Sequence, residues 1–114
     1  MPRLSSSSSG ARFLDKDRVV RELQALALHA RQAESEIQSV VLFGSIAKNN
    51  YTPRSDADLL IVLKHSPERF LDRIPRFLRL FLDASVPVEV FPYTVQECKT
   101  VPLARRALRE GQLL

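Results

Sequence analysis

The sequence predicts a small α/β (α+β) domain: a mixed sheet of about three to four short strands with helices packed on it. Three observations carry this. Short apolar, β-branched runs stand at 37–43, 57–64 and 86–93, each of strand length and too short for a typical helix. Stretches with helical apolar spacing flank them. The chain's 114 residues suit one compact domain.

Taken in order, the serine run Ser5–Ser9, closed by Gly10, is low-complexity and predicts a flexible tail over 1–12, with the domain over 13–114. In "DRVVRELQALALHARQA", Val19, Leu23, Leu26 and Ala30 form a helical apolar stripe, with Asp15 or Asp17 as N-cap. "IQSVVLF" reads as a buried strand. After Gly44, "SIAKNN" predicts a short helix ended by Asn49 or Asn50, because Asn tolerates the left-handed conformation. Pro53 marks a loop, and "ADLLIVLK" is the second strand. Ser66-Pro67 predicts the start of a helix with Phe70, Ile74, Phe77 and Phe81 on its apolar face. Pro75 should kink or split that helix. "VPVEVFPY" is a strand placed near an edge by Pro87 and Pro92. The rest predicts one or two short helices ending at Gly111.

Composition excludes several classes. Apolar residues at 45% and charged residues at 26% are the balance of a globular domain, not a disordered segment. No apolar stretch approaches the roughly 20 residues that span a bilayer, and the N-terminus lacks a secretory apolar core. Cys98 is alone, so no internal disulfide forms and no zinc set is present. A cytoplasmic address, without membrane attachment, is expected. A net charge of +4 and a pI near 9.7 permit nucleic acid as a partner without favouring it. Arg69, Arg73 and Arg76 share one face of the predicted central helix, read first as a solvated face. His29 and His65 read as surface residues, and Cys98 as a packed thiol.

The chemistry concentrates in "LFGSIAKNNYTPRSDADLLIVL", 42–63. Alternation puts Asp56 and Asp58 on one side of a regular strand, where two carboxylates resist joint ionisation. A hard cation such as Mg²⁺ relieves that repulsion and keeps positions free for phosphate oxygens. Gly44 lets a ligand approach the backbone. Free N–H groups after it, the Ser45 hydroxyl and Lys48 suit an anion. Glu89 interrupts the third strand, with Val88 and Val90 facing the other way. If the second and third strands are neighbours, Glu89 joins Asp56 and Asp58, and three carboxylates can hold two Mg²⁺ ions for displacement at phosphorus.

"GSIAKNNYTPRSDAD" resembles the signature of the polymerase-β-like nucleotidyltransferase superfamily. It is closest to its minimal nucleotidyltransferases, in which ten residues separate Gly-Ser from Asp-x-Asp, as between Ser45 and Asp56 here. "VEVFPYT" resembles the strand bearing the third carboxylate, and "ALREGQLL" the terminal helix and last short strand. Departures are Lys48 where Arg is common, Asn49 for Gly, and Glu89 for Asp. Lys keeps the charge of Arg but loses its fork.

The resemblance implies the nucleotidyltransferase fold and transfer of a nucleoside monophosphate from an NTP to a hydroxyl. Asp56, Asp58 and Glu89 would be the catalytic and metal-binding residues, and Gly44, Ser45 and Lys48 the nucleotide-binding ones, with two Mg²⁺ ions as cofactors. Relatives usually carry a further domain for the acceptor, so the acceptor is expected on another macromolecule. Minimal nucleotidyltransferases resemble antitoxins paired with HEPN-domain toxins, which implies AMP transfer from ATP to a toxin tyrosine within a hetero-oligomer. Neutralisation by contact alone, and transfer to RNA or a small molecule, are the alternatives.

Overall fold

A computed structural model describes residues 14–114; the expected tail, 1–12, lies outside the described residues. Helix α1 (Lys16–Ala33) is capped by Asp15, whose side chain accepts from the Arg18 N–H at 3.2 Å. The predicted stripe holds: Val19, Leu23 and Ala30 are buried, Leu26 packs at the margin, and Val20 and Ala27 widen the face.

Strand β1 (Ile37–Phe43) leads into the Gly44 turn, and β2 (Ala57–Leu63) follows the loop. Beyond β2 come α2 (Phe70–Leu78), a 3₁₀ turn (Arg79–Phe81), β3 (Val88–Thr94), α3 (Val95–Cys98), α4 (Pro102–Glu110) and β4 (Gln112–Leu113). The four strands lie in the order β3-β2-β1-β4, with β2 parallel to β3 and β1 antiparallel to both its neighbours. The mixed sheet and edge position of β3 match the expectation. Pro92 lies within that edge strand, where a missing N–H is tolerated.

Alternation divides the sheet into two faces. Ala57, Leu59, Ile61 and Leu63 of β2, with Val90 of β3, pack under α1 and α2 beside Leu23, Phe77 and Phe81. Leu60 and Val62 face the other way, towards Cys98, Ala104 and Ala107 of α3 and α4. Asp58 and Glu89, in phase with Leu60 and Phe91, therefore belong to the α4 face.

Two helix predictions need correction. The segment after Gly44 is a single compact turn, not a helix. The Lys48 N–H reaches Gly44 O at 3.1 Å and the Asn50 N–H reaches Ser45 O at 2.8 Å. Asn49, at φ 60°, reverses the chain before a second helical turn can form. The central helix begins at Phe70 with Arg69 as N-cap. Ser66 instead accepts from the Glu68 N–H at 3.2 Å, closing a local turn. Pro75 does not split the helix, which runs on to Leu78 before tightening into the 3₁₀ turn.

Of the arginine row, Arg69 is solvated as expected, but Arg73 and Arg76 are not. Arg73 is buried. Its guanidinium donates to Glu97 at 2.7 and 3.2 Å, to Pro92 O at 3.0 Å and to Glu68 O at 2.9 Å. These hydrogen bonds hold the Glu97 carboxyl below its ordinary pKa. Arg76 is shared among Glu34, Glu36 and Glu68, and exposed Arg69 pairs with Asp72. Arg73 and Arg76 fasten α2 to its neighbours, while Arg69 stays on the solvated surface. His29 and His65 are exposed, and Cys98 is buried, as expected. Among the described residues no helix is long and apolar enough to cross a membrane.

Removing Arg73 takes the guanidinium donors from Glu97, Pro92 O and Glu68 O, leaving Glu97 with the Thr94 N–H at 2.9 Å. Arg73→Met should cost about 2–4 kcal/mol in urea unfolding, and a loss below about 1 kcal/mol would mean that water replaces the guanidinium freely.

Candidate active site

The first structural requirement of the site is a backbone that bends without a side chain. Gly44 has φ 81°, a conformation open to glycine and costly for other residues. A Cβ there would collide with Asp58 Oδ2 and stand 3.2 Å from Asp58 Cγ. The glycine is required twice, for its dihedral and for the carboxylate packed against it. The antiparallel register Phe43↔Asp58 creates that approach.

The parallel register of β2 and β3 supplies the second acid, placing Asp58 directly beside Glu89. Asp56 lies one residue before β2, outside the regular ladder and exposed, while Asp58 is half-buried. Burial first, then the charges of Glu89 and Asp56, push the Asp58 carboxyl from 3.8 up to about 6. Among the described residues, no ion pair involves any of the three acids. The carboxylate oxygens suit a hard divalent ion, and their mutual repulsion is what such an ion relieves. Still, no three Asp, Glu, His or Cys side chains among the described residues are grouped to hold a metal as they stand.

The Gly44 turn is anchored from outside. Lys16 Nζ donates to Asn49 Oδ1 at 2.7 Å and to Ala47 O at 3.3 Å, and Ile46 is fully buried. Ser45 is half-buried next to Gly44. Lys48 is exposed and 3.5 Å from Glu110 at the end of α4. An exposed pair of this kind contributes little and gives way easily. Tyr51 packs against the α1 face, opposite the acids.

The structure thus brings Gly44, Ser45, Asp58 and Glu89 to one end of β1, β2 and β3, with Asp56 adjacent and Lys48 turned towards α4. Sequence reading missed Lys16, which sits 31 residues from Ala47 and leaves no local signal. It also missed a cavity of about 300 Å³ beside Gly44, between Phe43 and α4. The α4 residues lining it, Leu103, Arg106, Ala107 and Glu110, fall at i, i+3, i+4 and i+7, so helical spacing contained the signal.

Comparison with known proteins gives the family and the fold. The model of the nucleotidyltransferase domain family matches residues 23–113. The chain belongs to that family. The minimal nucleotidyltransferase type expected from Gly-Ser and Asp-x-Asp is supported by the same match. A crystal structure of a Sulfolobus solfataricus protein, provisionally described as a nucleotidyltransferase, superposes with a TM-score of 0.66 at 18% identity, covering 97% of this chain and 90% of that one. At that identity the likeness is one of fold. No curated protein matches the chain.

Two outcomes follow for this nucleotidyltransferase domain. Asp58 is neutral in both states below pH 3.8 and must ionise against its surroundings in the folded state near pH 6. Without divalent metal, Asp58→Asn should therefore gain stability relative to wild type as pH rises from about 4 to about 6, then hold a constant gap. Thermal melts across that range read it, and a flat difference contradicts it. Gly44→Ala should cost about 1–3 kcal/mol. Adding Asp58→Ala should relieve part of that cost, so a strictly additive double-mutant cycle would show that the two residues do not press on each other.

Proposed function

We propose that this nucleotidyltransferase domain uses Mg²⁺ to transfer AMP from ATP to a tyrosine of a partner HEPN-domain toxin, acting as its antitoxin. The observation that carries the chemistry is the register of Asp58 against Glu89, beside a glycine turn. In this reading Asp56 and Asp58 hold two metal ions and Glu89 completes the one nearer the acceptor. The ions would neutralise charge on the phosphates and the attacking oxygen. Gly44 and Ser45 hold the β- and γ-phosphates through N–H and hydroxyl groups, and Lys48 swings from Glu110 to join them. Most of the rate would come from positioning and charge neutralisation.

The acceptor rests on the resemblance to minimal nucleotidyltransferases. Transfer to RNA has less support, because Arg73 and Arg76 are engaged by Glu97, Glu34, Glu36 and Glu68. A second reading, neutralisation by contact without transfer, is favoured by one observation: among the described residues, the acids do not converge into a closed metal-holding set.

Incubation with any HEPN-domain protein encoded beside the gene, Mg²⁺ and α-labelled ATP should label a tyrosine of that partner. The Asp56→Ala, Asp58→Ala double variant should lower labelling at least 100-fold, roughly the scale set by losing a principal charge-stabilising contact. Absence of label with wild type excludes transfer to this partner. A double variant that still protects cells fully establishes contact as the mechanism.

A further inference from the structure

Helix α2 and the 3₁₀ turn after it are apolar on two sides. Ile74, Phe77 and Phe81 pack into the core. A second row, Leu71, Pro75, Leu78 and Leu82, falls at i, i+4, i+7 and i+11. The backbone stays right-handed helical through Leu82, so this row is continuous. Leu71 is 74% exposed and Leu82 70%; Pro75 is exposed and Leu78 half-buried. Single exposed leucines are ordinary, but an apolar row along one helix marks a contact surface.

Charges run beside the row. Arg69, Asp72, Arg79 and Asp83 alternate in sign, and all four are exposed. Arg69 and Asp72 pair with each other at 3.4 Å. Among the described residues, Arg79 and Asp83 enter no ion pair.

We propose that this row is a self-association surface, on which a second copy of the chain packs its own α2 antiparallel about a twofold axis. Two features point to a second copy. The spacing of the row reads the same from either end, so reversal sets Leu71 against Leu82 of the second copy and Pro75 against its Leu78. The charges change sign when read backwards, so the same operation sets Asp72 beside Arg79 of the second copy and Asp83 beside its Arg69. Like flanks meet in an antiparallel helix pair, which brings these charges together. A lipid surface would leave the alternating charges unmet. Arg76 meets its own copy at the axis, but Glu34, Glu36 and Glu68 already neutralise it.

This pairing leaves the candidate active site open, because α2 packs on the Leu59 and Val90 side of the sheet and the acids belong to the α4 face. Residues 71–82 span about 18 Å of helix. The interface is therefore at the small end of the size range, and the dimer should exchange freely with monomer.

Sedimentation equilibrium of the whole chain tests this. Wild type should dimerise with a Kd of about 10–100 μM. Leu71→Ser combined with Leu82→Ser, both at exposed positions, should raise that Kd at least tenfold without lowering the thermal melt. Asp72→Arg and Arg79→Asp should each dimerise at least fivefold more weakly, since like charges then face each other twice across the axis. Mixed together, these two single variants should form a heterodimer within about threefold of wild-type affinity, because each replaced charge then meets its opposite. A chain that stays monomeric to about 1 mM overturns the proposal and gives the row to another occupant. Dimers indifferent to the leucine pair place the contact elsewhere and also overturn it. A mixture no tighter than its two components overturns the antiparallel pairing.

Discussion

Everything at this site depends on a half-buried carboxylate held between two other acids, with no ion-paired cation beside it among the described residues. Asp58 is fixed on both sides by the sheet. Antiparallel pairing sets it opposite Phe43 and against Gly44, while parallel pairing sets it beside Glu89. Burial and like charge raise its pKa to about 6. Glu97, by contrast, has its charge met by Arg73. The missing counter-charge is the feature that a divalent ion would supply.

The fold is arranged to keep that corner in place. Arg73 and Arg76 tie α2 to β3, α3 and the start of β1 through buried and shared hydrogen bonds. Lys16 reaches from α1 to hold the Gly44 turn. At the far edge, Gly111 lets β4 join β1. A Cβ there would meet Ala107 O at 2.5 Å, Val41 Cγ1 at 2.6 Å and Leu42 O at 2.7 Å. This close passage also seats α4 beside Gly44 and so shapes the cavity. Of the 17 Lys and Arg residues, Arg73, Arg76 and Lys16 serve as these fasteners.

Much of this was legible in the sequence, for physical reasons. Strand alternation announced that Glu89 opposes the faces of Val88 and Val90, and the ten-residue gap from Ser45 to Asp56 announced one loop joining two strand ends. Pro92 announced an edge. Less legible were features set by tertiary contact. Asn49 and Ile46 turn the chain too tightly for the short helix that propensity suggests. Ser66 prefers a local turn to capping a helix that starts four residues later. Arg73 reads as a surface residue until Glu97 and Pro92, 24 and 19 residues away, give it partners. The cavity needs α4 folded back on β1, which no local pattern specifies.

Whether the acids form a cation site is tested most directly at Asp58 itself. Carboxyl ¹³C NMR can follow its titration in the free protein and with saturating Mg·ATP. The free protein should titrate near pH 6. Bound Mg²⁺ should carry the Asp58 pKa below the ordinary carboxylate range, since a cation favours the charged form. An Asp58 that still titrates near pH 6 with Mg·ATP bound would contradict the assignment of this corner as the metal site.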